Sequence, residues 1–136
     1  MINFLDKVND TLSEAVGTLA KVSTSYPDSP AQLPYVMLQL IRVSADQSSY
    51  DERLKAPRFN VSIQVDVFAQ GEDAAFEVDD IYKVVHEAME NMKFVLEDYS
   101  PMENYDRTIS RSVARYSAKV APELIEDDKV YQIYRR

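Results

Sequence analysis

Leu5, Val8, Leu12, Ala15, Val16 and Leu19 recur at steps of three and four residues, the spacing of one face of an α-helix. The pattern predicts an opening helix of about four turns. Asn3 is its candidate cap and Asp6 stands in its first turn. Gly17 and Lys21 suit its C-terminal end. Pro27, Pro30 and Pro34 follow within eight residues, which excludes helix and central strand and predicts an extended connector. Tyr35–Val43 is apolar at both parities apart from Gln39 and Arg42, as in a strand covered on both faces or covered by a neighbouring subunit. Residues 44–57 are polar and charged, fourteen in number and without glycine. That is too long for a tight hairpin and predicts a projecting arm. In Arg58–Ala69, Phe59, Val61, Ile63, Val65 and Val67 alternate with Arg58, Asn60, Ser62, Gln64 and Asp66, the pattern of a strand with one buried and one polar face.

Gln70-Gly71 breaks this strand, and a second helix is expected from Glu72. Ala74, Val78, Ile81, Val85, Ala88 and Met92 give its stripe, widened by Phe76, Val84 and Met89. Phe94–Pro101 reads as a short connector opening on a brief strand, Phe94-Val95-Leu96. Tyr105–Val120 alternates again, with Arg107, Arg111 and Arg115 beside Ile109 and Val113 on one face. Pro122 and Glu126-Asp127-Asp128 are expected to interrupt the chain before a last β-prone segment, Lys129–Tyr134, at an edge or on a neighbour. These elements predict an α+β fold: a small antiparallel or mixed sheet of about four strands, both helices packed on one face, and a long β–β arm. Residues 1–120 are expected to form the domain and 121–136 a C-terminal extension.

Composition narrows the class. A chain of 136 residues suits one domain. There is no cysteine, which removes disulfides, thiolate metal sites and a cysteine nucleophile. No apolar run reaches the length of a membrane-spanning helix. Broken apolar spacing and an early acid in MINFLDKVND argue against a secretory signal and for assembly in a cytoplasm. The net charge is −8, and a chain that acidic repels phosphate as a whole. Residues 1–100 hold eight basic and seventeen acidic side chains, whereas 101–136 hold seven basic and six acidic. The two glycines are too few for a phosphate-cradling loop.

Little in the chain points to catalysis. His86 is the only histidine; Glu90 is four residues on, and Asp79, Asp80 and Glu87 lie nearby. A metal site or acid–base pair there is weighed against an acidic, solvated helix face carrying one exposed histidine. The second reading is favoured, because His86 follows Val85 of the stripe and is turned about 100° from it. No serine stands in a nucleophile elbow. The arginine stripe 107, 111, 115 suits carboxylates in this chain or a neighbour. Nine tyrosines, many outside the expected core, suit interfaces. The candidate inter-subunit residues are Tyr50, Asp51, Glu52, Arg53, Arg107, Arg111, Arg115, Tyr131 and Tyr134. No catalytic, cofactor-binding or metal-ligating residue is assigned.

An opening helix, then Tyr26-Pro27 and Pro34-Tyr35-Val36 leading into a strand, a long loop, the strand Arg58–Phe68, the acidic helix Asp73–Met92 and an arginine-bearing strand Asp106–Tyr116 together resemble the tail terminator and tail-completion (head–tail joining) proteins of long-tailed bacteriophages. The resemblance spans roughly residues 1–120 and lies in order and texture, without an invariant motif; residues 121–136 fall outside it. It implies a virion subunit, assembled in the host cytoplasm into a ring, usually of six. The ring would sit at the head-proximal end of the tail tube, stopping tube growth and meeting the head connector, without catalysis, cofactor or membrane. Heterologous patches close such rings. Genomic DNA passes through without specific binding, and an acidic lumen would release it. Asp46, Asp51, Glu52, Glu72 and Asp73 are the candidate lumen residues. The alternatives are a neck or head-completion adaptor of the same virion, and a small cytoplasmic enzyme or ligand-binding module using the acidic helix around His86.

Overall fold

A computed structural model of the chain describes residues 2–24, 34–45, 59–103, 109–125 and 128–134. In chain order the elements are α1 (Ile2–Val16), β1 (Lys21–Ser23), β2 (Tyr35–Ala45), β3 (Phe59–Gln70), α2 (Ala74–Asn91), β4 (Val95–Glu103), β5 (Ile109–Ile125) and β6 (Asp128–Tyr134). The fold is α+β, with a mixed sheet ordered β1-β2-β3-β5-β4 and β6 added to β5. Among the described residues only the β1–β2 pair is parallel. The sheet has six strands where about four are expected from the sequence.

β3 and β5 form its centre, paired from Phe59 opposite Val120 to Gln70 opposite Ile109. Residues of period two share a face, so this register brings Val61, Ile63, Val65 and Val67 beside Ala118, Tyr116, Ala114 and Ser112. Val36 and Leu38 of β2 join that face. Both helices cover it: Val8, Leu12 and Val16 of α1 and Ala74, Val78, Ile81, Val85 and Met89 of α2 are buried in one apolar cluster with these strand residues. On the opposite face Tyr35, Met37 and Phe68 make a small second cluster, with Ile109 against it.

The helix ends explain several departures from the sequence pattern. α1 already includes Ile2 and Asn3, so Asn3 is not its cap. It stops at Gly17, whose φ of +62° is left-handed backbone that only glycine adopts without strain. The Gly17 N–H donates to the Ser13 carbonyl at 2.9 Å. Lys21 is therefore not in a last helical turn; it opens β1 beside Tyr35. α2 closes with a Schellman arrangement. The Phe94 N–H reaches back to the Met89 carbonyl and the Lys93 N–H to the Glu90 carbonyl, at 3.0 and 2.9 Å. Phe94 and Met89 are both buried, the apolar contact that accompanies this motif. Lys93 takes the left-handed position at φ 73°.

β4 is a nine-residue strand where a connector is expected. Glu97, Asp98 and Pro101 mask it in the sequence, yet all three are compatible with an edge. β5 runs through Pro122, which therefore does not interrupt it, and ends at Ile125, directly before the acidic residues expected to break the chain; β6 begins at Asp128, the last of them. In β2, Tyr35–Leu38 are buried but Gln39–Val43 are exposed, so only its first half is covered on both faces. Phe76 is not part of the buried stripe: it is 74% exposed, on the solvent side of α2. Of the expected arm, residues 44–57, Ser44 and Ala45 are the end of β2 and the rest lies outside the described residues.

Because Lys93 occupies a left-handed position with a side chain that disfavours it, Lys93→Gly is expected to stabilise the fold by about 0.5–1 kcal/mol. Chemical denaturation of the two proteins measures the difference.

Candidate functional site

Two polar constellations stand on opposite faces of the sheet. The first joins α2 to β5. Tyr116 is wholly buried on the helix-covered face. Its hydroxyl lies 2.9 Å from the Tyr82 hydroxyl and 2.9 Å from Nδ1 of His86. His86 Nε2 is 3.3 Å from Glu90 Oε1, one helical turn on. In the neutral imidazole with its proton on Nε2, Nε2–H faces the carboxylate and Nδ1 accepts from the Tyr116 O–H. The Tyr82 O–H then donates to the Tyr116 oxygen. Tyr99 of β4 stacks on Tyr82 with ring centroids 4.3 Å apart. Burial, above all, raises the Tyr116 phenol far above the ordinary tyrosine range, with hydrogen bonding to Tyr82 adding to it. Burial raises Tyr82 as well, opposed by its bond to Tyr116.

His86 is thus not the exposed histidine of a solvated face: its ring is half-buried and both nitrogens face partners. Helical phase turned it from the apolar seam, but the large Tyr116 side chain reaches out from the sheet to meet it. Chemically the cluster is a clasp. The Tyr116 hydroxyl is sealed from solvent and stays protonated, so it satisfies buried polar groups and ties the helix to the sheet. Among the described residues no three His, Asp or Glu side chains are grouped to hold a metal ion.

The second constellation lies on the face away from the helices. Asp66 of β3 is wholly buried despite its place on the polar parity of that strand. Arg111 Nη2 donates to Asp66 Oδ2 at 2.5 Å, and the guanidinium sits 5.3 Å from the centroid of the Phe68 ring. Gln64 Nε2 donates to Asp66 Oδ1 at 2.9 Å, and Arg115 Nε donates to Gln64 Oε1 at 3.3 Å. The register explains the meeting: Phe68 is opposite Arg111 and Gln64 opposite Arg115, with Asp66 between them in β3. A hydrogen-bonded network centred on buried Asp66 therefore occupies the face that alternation alone suggests is solvated, although Arg111 Nε and Asn60 Oδ1 are buried there without a partner among the described residues.

The candidate inter-subunit residues do not form one group. Arg111 and Arg115 share the open face. Tyr131 and Tyr134 lie along β6. Tyr50, Asp51, Glu52, Arg53 and Arg107 fall outside the described residues, as do Asp46 and the rest of the candidate lumen acids in the arm. Glu72 and Asp73 are exposed in the turn that precedes α2. The Glu77 N–H donates to the Asp73 carbonyl at 2.9 Å, so the acids gather where the helix dipole favours them. Sequence reasoning missed Asp66, Gln64, Tyr82 and Tyr116 as partners. Their signal was present only as parity, and it needs the β3–β5 register to be read.

No family model matches the chain, and no curated protein matches it. Among solved structures, a chain of the virion of a native gene transfer agent (GTA) particle superposes with a TM-score of 0.59. The alignment covers 84% of this chain and 91% of that one, at 14% sequence identity. The likeness is one of fold.

Two variants test the constellations. Arg111→Met leaves Asp66 buried without its cation and is expected to cost about 3–5 kcal/mol, with most of the loss recovered in Asp66→Leu/Arg111→Met. Urea unfolding of the wild type and both variants measures this. Tyr116→Phe deprives Tyr82 and His86 of a partner and is expected to cost about 1–3 kcal/mol at neutral pH. Above the ordinary tyrosine value of 10.0 the unfolded chain releases the phenolic proton while folded Tyr116 retains it. Stability therefore falls as pH rises past that value, and the fall is shallower in Tyr116→Phe. Unfolding free energies from neutral to alkaline pH measure both effects.

Proposed function

We propose that this chain is a structural virion protein, the tail terminator of a tailed-phage-like particle. In this reading copies of the chain form a ring, a hexamer, on the head-proximal end of the tail tube. The ring ends tube growth and presents the surface that the head connector joins. The observation that carries the reading is the fold likeness to a chain of a gene transfer agent virion, matched over nine-tenths of that chain's length. The order of elements supports it, since the helix, the two strands, the acidic helix and the arginine-bearing strand that resemble the terminator family correspond to α1, β2, β3, α2 and β5. The polar clusters support it too: the side chains most suited to acid–base work, His86 and Tyr116, are engaged with each other inside the fold.

The acidic balance fits passage of DNA. A duplex carries about one negative charge per 1.7 Å of its axis, so a lumen lined by carboxylates releases it where a basic lumen would hold it. Glu72 and Asp73, exposed before α2, are the described candidates for that lining.

Electron microscopy of particles made without this gene tests the role. The expected result is overlong, ragged tails beside full, unattached heads. Tails of normal length that fail to join heads would overturn the terminator reading and move the protein to the neck as an adaptor.

A further inference from the structure

Among the described residues the sheet has four outer edge segments, and they are not alike. β1 is three residues long and begins with Lys21. β4 carries Pro101, Glu97 and Asp98 and shifts register between Leu96 and Asp98. Short strands, proline, charge and bulges are how proteins keep an edge from pairing with another chain. The other two edges carry fewer of these features: β2 has a register shift at Ile41 and one charge, Arg42, but no proline or acid, and β6 has no proline. β1 pairs β2 only from Tyr35 to Met37, so the outer side of β2 from Leu38 to Ala45 has no partner strand among the described residues. Along it Leu40, Ile41 and Val43 are 36%, 47% and 39% exposed. A register shift at Ile41 places Leu40 opposite Ile63 and Val43 opposite Val61, both of which are buried.

β6 is the fourth edge. Lys119 lies opposite Asn60 of β3 and Tyr134 of β6, so β6 occupies the side of β5 that β4 occupies further along. At this end the sheet runs β2-β3-β5-β6, with β2 and β6 as its two margins. The segment from Lys129 to Tyr134, KVYQIY, is β-prone and lacks proline and acid. Asp128–Arg136 holds three basic residues and one acid in a chain of net charge −8, so this end is drawn to the rest of a like chain.

We infer that β6 of one copy of this chain pairs with the free edge of β2 in a second copy, extending the sheet from subunit to subunit. Strand direction agrees. β2 and β5 run one way, β3 and β6 the other. Two copies in the same orientation therefore bring β6 and β2 together antiparallel, the more stable pairing. Two different edges meet, which makes the contact heterologous and lets it close into a ring. β6 reaches past the end of β2, because Tyr134 is level with Lys119 while Asp128 pairs with Ile125. Closure therefore tilts the strands against the ring axis. The pairing would bury Leu40, Ile41 and Val43. The inference rests on the ring reading for its closure, but the contact is tested by itself.

The chain contains no cysteine, so introduced pairs report the contact cleanly. Cysteines are placed at 41 or 43 together with each of 130–133 in turn in the full chain, and oxidised at high concentration. Neighbouring strands bring Cα atoms within disulfide reach. The expected result is a covalent ladder beyond the dimer for at least one pair, with none when either cysteine stands alone. Dimers from a single cysteine in β6 would overturn the inference in favour of a two-fold contact. In sedimentation velocity, Ile41→Lys and Val43→Lys are expected to weaken self-association at least tenfold with unchanged melting, whereas Phe76→Lys leaves it unchanged. Equal loss in Phe76→Lys, unaltered association in the β2 variants, or a wild type that stays monomeric without cross-links would each overturn it. Oligomers that form without the cross-link leave the ring reading intact, and the tail-length experiment judges that reading separately.

Discussion

The antiparallel pairing of β3 with β5 is the constraint on which the rest of the molecule depends. Its register sends Val61, Ile63, Val65 and Val67 with Ala114, Tyr116 and Ala118 toward the helices. The same register sends Gln64, Asp66 and Phe68 with Arg111 and Arg115 to the other side. A slip of one residue would exchange the two sets, putting an arginine among the buried valines. Apolar burial against the helices and the Asp66–Arg111 ion pair therefore specify one alignment from both faces.

Each face also carries a polar group that the register makes tolerable. Tyr116 is too large and too polar to be buried without a partner, and α2 supplies two, Tyr82 and His86, at adjacent turns of the helix. Asp66 is sealed from solvent, and its oxygens are met by Arg111 and Gln64. Unpaired, either group would cost the fold heavily. Paired, each adds direction to a contact that apolar packing alone would leave free to slide.

The sheet margins divide by chemistry. Both β4 and β2 shift register once, but β4 carries proline and carboxylates, whereas the outer half of β2 carries aliphatic side chains and a single arginine. A strand edge with unpaired main chain and apolar neighbours is a template on which another strand can pair.

The sequence by itself determined the α+β class, the helix pair and the core-facing sides of β3 and of most of α2, because the periods of 2.0 and 3.6 residues are local properties of the chain. Gly17 was legible as a residue near the helix end, because its left-handed φ is a demand of the backbone at one residue, but the apolar spacing carried the expected helix past it to Leu19 and Lys21. Only the tertiary structure decided what distant segments do to one another. It made the Glu97-Asp98-Pro101 segment a strand, because edge pairing to β5 outweighs poor local propensity. It left Phe76 in solvent, because the rotation of α2 is set by what it packs against and not by its own apolar count. It joined Asp66 to Arg111 and His86 to Tyr116 across separations of 45 and 30 residues. No local period encodes such meetings; strand register and helix placement create them.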